Sequence, residues 1–170
     1  MFIEIDLEKI KNRLLRNRLS IGNRSDEMLE SLLSRFDWRT FESTVAEIFA
    51  ANGFFVRKNL RFKTDRRYEI DIIASNSRDV FCIDCKDWSG GRYKRSGLRI
   101  AAEAQILRTK ELENFVSGNS IARHKLRINP NSVFYPTIVT LFEEDVSDIV
   151  DVEGVHIIPV WKLNSFLNSF

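Results

Sequence analysis

The residues with the clearest chemistry are two aspartates and a lysine set inside apolar runs. Asp71 lies in Tyr68-Glu69-Ile70-Asp71-Ile72-Ile73-Ala74, and Asp84 and Lys86 lie in Val80-Phe81-Cys82-Ile83-Asp84-Cys85-Lys86. Runs of this kind read as buried or half-buried β-strands, where an ionised group is costly unless it is paired or holds a metal. Strand side chains alternate faces, so Asp84 and Lys86 project from one side, roughly 7 Å apart along the strand. Phe81, Ile83 and Cys85 point the other way, into the core. The same alternation puts Glu69, Asp71 and Ile73 on one face. An ion pair between Asp84 and Lys86 on an edge strand would be ordinary in itself, but it leaves Asp71 unexplained among isoleucines. Two carboxylates converging beside a lysine suit a hard cation such as Mg²⁺ and a water activated for attack on phosphate. Removing the charge at Asp84 is then expected to relieve repulsion between carboxylates.

Charge is segregated along the chain around these residues. The net charge is only +2, yet residues 57–127 carry 17 Lys and Arg against 9 Asp and Glu. Residues 128–170 carry one Lys against six acids. The basic residues Arg57, Lys58, Arg61, Lys63, Arg66, Arg67, Arg92, Lys94, Arg95 and Arg99 therefore flank the candidate site. A phosphate backbone, with DNA as the partner, is what such a stretch is expected to meet.

Other chemistries lack parts. Cys82 and Cys85 have CxxC spacing, but positions i and i+3 of a strand face opposite ways, so they read as buried thiols rather than as a zinc or redox pair. Two histidines, His124 and His156, and no Gly-x-Ser-x-Gly elbow leave serine- or histidine-type hydrolysis without its groups. The glycines of Ser89-Gly90-Gly91-Arg92 are not followed by Gly-Lys-Ser/Thr, so they make no phosphate-binding P-loop. No apolar run approaches the ~20 residues of a membrane span, and no signal-peptide pattern opens the chain. The expectation is a cytoplasmic protein without a membrane partner.

The elements that must position the site follow from hydrophobic period. Helices are expected over 6–19, over 28–36, and from Asp37 or Thr40 to Asn52, the last closed by Gly53 in a left-handed C-cap. Strands follow at 54–62, 68–75 and 80–87, then a basic glycine loop and a helix over 98–116. Residues 117–131 read as irregular. A strand interrupted early by Pro136 covers 133–142, an acidic connection leads to a strand over 155–160, and a short helix closes the chain.

This order, with Asp71 and Asp84-Cys85-Lys86 at those places, resembles the PD-(D/E)xK nuclease superfamily, nearest to archaeal Holliday-junction resolvase-like and Mrr-like restriction endonuclease domains. The resemblance spans about Phe41 to Val160. Two positions depart from the signature: Ile70 stands at the proline position, and Asp84 replaces the commoner glutamate. Neither removes a catalytic group.

The resemblance implies an α/β fold with a restriction-endonuclease-like core. That core is a mixed central sheet flanked by helices in the order α-β-β-β-α-β, preceded by an N-terminal helical extension over 1–37 and occupying 38–170. It implies a Mg²⁺-dependent endodeoxyribonuclease, with Mn²⁺ able to substitute. Asp71, Asp84, the Cys85 backbone carbonyl and Glu42 are the implied metal ligands. Glu42 matches the family's helix acid because Gly53-Phe54 follows it by eleven residues. Lys86 would orient the attacking water, and Gln105 matches a glutamine that related nucleases can carry on the following helix. Resolvase-like relatives act as dimers, which makes a homodimer the expected assembly. The rival readings are a nuclease-fold protein that binds DNA without cutting it, and a structural or protein-interaction module.

Overall fold

In the computed structural model, residues 38–86, 95–141 and 150–170 are described. The first described element, α1 (Trp38–Ala51), is helical because Phe41, Val45, Ile48 and Phe49 form one apolar stripe, and all four are buried. Its end is a double capping arrangement around Gly53, which takes φ +85. The N–H of Phe54 donates to Phe49 O at 3.2 Å and that of Gly53 to Ala50 O at 3.0 Å. The Phe54 ring then packs edge-on against Phe49, with centroids 5.6 Å apart. This is a Schellman ending with its hydrophobic contact, and it sets the angle at which α1 leaves the sheet.

Three antiparallel strands follow: β1 (Phe55–Lys63), β2 (Arg67–Ser75) and β3 (Asp79–Lys86). Helix α2 (Arg95–Ser117) crosses over to β4 (Val133–Thr140), which runs parallel to β3. Between them lies the short α3 (Ser120–Lys125). The chain ends with β5 (Val150–Val152), β6 (Val155–Pro159) and α4 (Val160–Ser169). Among the described residues these strands form one six-stranded mixed sheet in the order β1-β2-β3-β4-β6-β5.

Helices cover both faces of the sheet. Phe41, Val45 and Phe49 of α1 and Leu163 and Leu167 of α4 pack on Ile72, Ala74, Phe81, Ile83 and Cys85. Leu112 and Val116 of α2 pack on Ile70, Ile73, Val80 and Cys82 of the opposite face. Cys82 and Cys85 are both buried free thiols and belong to these two different layers. Burial pushes the Cys82 thiol up to about 12 and the Cys85 thiol well above its ordinary range.

The α/β fold, mixed sheet and flanking helices match the restriction-endonuclease-like core expected from the sequence, and four local details differ. The expected irregular stretch contains α3, which is capped by Asn119 accepting a hydrogen bond from Ala122 N at 2.9 Å. Helix α2 starts at Arg95, inside the expected loop. The acidic connection ends in a strand, β5, joined to β6 by the two-residue loop Glu153-Gly154, both at positive φ. That is the backbone of a tight hairpin turn, and Asp151 Oδ1 accepts the Gly154 N–H at 2.9 Å. Finally, Pro136 does not interrupt β4. The ladder to β6 begins only at Thr137, so the missing N–H falls where β6 supplies no partner.

The expected helices over 6–19 and 28–36, and with them the extension 1–37, lie outside the described residues, as do Arg92 and Lys94. Among the described residues, no helix is long and apolar enough to cross a membrane.

Candidate active site

The candidate site begins with a fault in the β1–β2 hairpin. Asn59 takes φ +52, a left-handed conformation that asparagine tolerates better than most residues. The register sets it opposite Asp71, between the pairs Lys58↔Ile72 and Leu60↔Ile70. On one side of this point Phe54, Val56, Ile72 and Ala74 face α1 and α4. On the other side Leu60, Phe62, Tyr68 and Ile70 face α2. Both strands thus exchange faces at Asn59 and Asp71. The expected common face of Glu69, Asp71 and Ile73 is broken for this reason. Ile73 is buried under α2, while Glu69 is exposed and pairs with Arg61 at 3.1 Å.

The same point ends the pairing of β2 with β3. Their ladder runs from Ser75↔Val80 to Ile72↔Ile83, and its next step would set Asp71 against Asp84. There the Cys85 N–H donates to Asp71 Oδ2 at 2.9 Å, so a side chain takes the place of a strand partner. A carboxylate is thereby pinned into the opening between two strands. Burial pushes the Asp71 carboxyl up to about 6; the Cys85 N–H opposes that rise, the charges of Asp84 and Glu42 add to it, and Lys86 opposes it. Glu42, half-buried on α1, is thus within electrostatic reach of Asp71.

Asp84 is the buried member of the set, its side chain 7% exposed, and cations hold both of its oxygens. Lys86 Nζ stands 2.8 Å from Oδ2 as an ion pair. Its direction is wrong for a hydrogen bond, which leaves that buried oxygen without a hydrogen-bond partner among the described residues. Arg108 Nη1, from α2, donates to Oδ1 at 2.9 Å and to Gln105 Oε1 at 3.2 Å. Gln105 is fully buried, and its amide nitrogen donates to Cys82 O at 2.7 Å. It therefore stands one layer behind Asp84, as the anchor of Arg108.

The structure brings Glu42, Asp71, Asp84 and Lys86 into one electrostatic cluster, with Gln105 behind it. The sequence reading missed Arg108. A signal existed: Gln105 is a polar residue on the buried stripe Ala102, Gln105, Thr109, Leu112 and Val116, and Arg108 follows it at i+3.

The donors fit a hard divalent cation. They are carboxylate oxygens, one of them buried and ion-paired to Lys86 with no hydrogen bond among the described residues. Among the described residues no three His, Cys, Asp or Glu side chains are gathered as a ready-made metal site. Mg²⁺ is commonly held by one or two carboxylates, with waters completing the shell.

The expected phosphate-binding residues are spread along β1, the hairpin tip and α2. Arg57, Lys58, Arg61, Lys63, Arg66 and Arg67 are exposed. Lys58 Nζ donates to Ser43 Oγ, on α1 next to Glu42, at 3.1 Å. Arg66 lies over the Tyr68 ring, 5.0 Å from its centroid. Arg99 pairs with Glu103 at 3.0 Å and Glu153 at 3.7 Å, which neutralises it locally. Arg95 opens α2, with its side chain outside the described residues.

Comparison with known proteins adds independent findings. The chain is similar to an uncharacterized protein of Archaeoglobus fulgidus, 29% identical over 133 residues, which are 78% of this chain and 90% of the relative. Among solved structures it is similar to AF1548, a protein of unknown function, at 17% identity and a TM-score of 0.38, covering 59% of this chain and 46% of that one. It is also similar to protein VC1899 from Vibrio cholerae, at 14% identity and a TM-score of 0.36, covering 87% of this chain and 42% of that one. The chain spans less than half the length of either solved chain. The model of the nuclease-related domain matches residues 29–127, from before α1 to the residue after Leu126 that closes the α2–α3 unit. On that match over more than half its length, the chain belongs to the nuclease-related domain family.

Proposed function

We propose that this protein is a metal-dependent endonuclease that hydrolyses DNA phosphodiester bonds, with a site of the PD-(D/E)xK kind and resolvase-like or restriction-like use. The observation that carries the reading is Asp71 Oδ2 seated on the Cys85 N–H, at the point where β2 and β3 part beside Asp84 and Lys86. Asp71 and Asp84, with the Cys85 carbonyl, would hold Mg²⁺ or Mn²⁺, and Glu42 would join directly or through water. The bound ion would supply Lewis-acid charge to the phosphate and acidify a water.

The rest falls to the chain's own groups. Lys86 Nζ, now on Asp84, orients the attacking water and meets charge developing on the phosphate. Asp71, with its carboxyl pushed up to about 6 by burial, gives up its proton above the usual carboxylate range and is ionised at neutrality. The exposed cations of β1 and the hairpin tip hold the DNA backbone, and a homodimer would present two sites to two strands. Inside the cell, the cytoplasm is the setting this reading implies.

A cleavage panel tests the proposal: supercoiled plasmid, linear duplex, four-way junction, flap and single strand, each with Mg²⁺ and with Mn²⁺. Metal-dependent cutting of at least one substrate is expected, and no cutting of any substrate under either metal would overturn the endonuclease reading. One observation favours a second reading. Both oxygens of Asp84 are held by cations, an arrangement that also suits a nuclease-fold protein that binds DNA without cleaving it. Salt-sensitive DNA binding with no cleavage in the same panel would select it.

A further inference from the structure

Arg108 enters the site from α2, whereas Asp71, Asp84 and Lys86 come from the strands. Its aim is fixed by a fully buried partner. Gln105 spends its amide nitrogen on Cys82 O at 2.7 Å and offers Oε1 to Arg108 Nη1 at 3.2 Å. The same Nη1 reaches Asp84 Oδ1 at 2.9 Å. Arg108 and Lys86 have side chains 32% exposed, while that of Asp84 is 7% exposed. Two cations therefore stand towards solvent, with the carboxylate behind them. A guanidinium on a long stem can turn from that carboxylate to a phosphate oxygen outside, since it matches both geometries.

Charge gives this exchange a driving force. Glu42, Asp71 and Asp84 supply three negative charges, and Lys86 and Arg108 two positive ones. A divalent cation on Asp84 would face both of these at close range, in a partly buried setting where screening is weak. A phosphodiester supplies the anion that can take them over. Metal and DNA would then each relieve the cost of binding the other.

Resting on the reading of this site as a metal-dependent nuclease centre, we infer that Arg108 is a further residue of the reaction centre. It is an internal counter-ion that holds Asp84 in the free protein and turns to the scissile phosphate when metal and DNA bind. The consequence is a positive coupling between divalent cations and DNA that runs through one side chain and is reciprocal by linkage.

The experiment uses the full chain as wild type, R108Q, R108M and R108K. Glutamine removes the charge yet can still hydrogen-bond to Asp84, so R108Q remains decisive if R108M fails to fold. Mn²⁺ binding to the free proteins is read by electron paramagnetic resonance. Binding of a fluorescent DNA duplex is read by anisotropy with and without Ca²⁺, a hard cation taking the same oxygen ligands. R108Q should bind Mn²⁺ roughly tenfold more tightly than wild type while losing most of the Ca²⁺ enhancement of DNA binding that wild type shows. R108K should keep the wild-type coupling.

Unchanged or weaker Mn²⁺ binding by R108Q, or a full Ca²⁺ enhancement in it, would overturn the inference while leaving the nuclease site standing. So would R108K behaving like R108Q, because the effect would then not follow the charge. Failure of the wild type itself to bind Mn²⁺ would remove the site reading and this inference with it.

Discussion

Two aspartates of the same site differ in what surrounds them, and the difference has opposite consequences for stability. Burial, with two like charges adding to it, outweighs the one backbone N–H and the Lys86 cation that Asp71 gains, and pushes its carboxyl up to about 6 from 3.8. A raised carboxyl favours the folded state in its protonated form. Stability is therefore lost as pH rises from 3.8 through about 6, and the penalty is complete above that. Asp71→Asn should stabilise the metal-free protein by about 1–2 kcal/mol at pH 8, a figure reduced for solvent screening of a partly exposed group. The gain should shrink below pH 6 and vanish near pH 4 in denaturant titrations. Asp84 has the reverse setting. It is paired with both Lys86 and Arg108, so Asp84→Asn should cost about 1–3 kcal/mol by leaving two cations short of a partner. This reverses the gain expected from repulsion alone, and equal melting temperatures for the two proteins would contradict it. The pairing of Asp84 with Lys86 was legible in the sequence because strand alternation holds along β3, whereas Asp71 reaches them only through the face exchange at Asn59. Arg108 was not, because its bond to Asp84 crosses 24 residues and depends on where α2 lies.

At the scale of elements, the site depends on a hairpin that changes faces halfway. Alternation alone cannot show this, since Asn59 looks like any polar residue of an exposed strand until its φ of +52 is known. The exchange lets Leu60, Phe62 and Tyr68 cover α2 while Ile72 and Ala74 cover α1, and it frees Asp71 to point into the opening. Asn59→Gly should be nearly neutral in a thermal melt, because glycine enters the left-handed region freely. Asn59→Val should cost about 1–3 kcal/mol, since a β-branched residue is strained there. If the valine variant melted with wild type, the face exchange would not depend on this residue. The Gly53 ending of α1 was readable from sequence because Gly-Phe after an apolar stripe is a local capping signal. The β5 hairpin was hidden because its flanking strands are short and its acidic lead-in reads as loop.

For the molecule as a whole, the basic excess of residues 57–127 and the acidic tail give two unlike segments of sequence, and Asp71, Asp84, Lys86 and Arg108 lie in the basic one. Arg66 and Arg67 are exposed at the β1–β2 tip, outside every buried cluster. Charge reversal at both should weaken DNA binding across unrelated sequences and flatten its salt slope by about 1 for each phosphate released. Thermal stability should hardly change, and an unaltered slope would place the DNA elsewhere. The fold class was legible because element order and period follow from hydrophobic pattern, whereas the partners of individual charges follow from tertiary packing.

The central claim is that Asp71, Asp84 and Lys86 form a metal-dependent phosphodiesterase centre. Its most direct test is single-turnover nicking of supercoiled plasmid with Mg²⁺ by wild type, Asp84→Asn and Lys86→Ala, with each variant shown by melting to be folded and by anisotropy to bind DNA. Wild type should nick, and both variants should bind DNA yet lose at least about two orders of magnitude in rate, the scale of one transition-state contact. Nicking by folded Asp84→Asn at the wild-type rate would contradict the account.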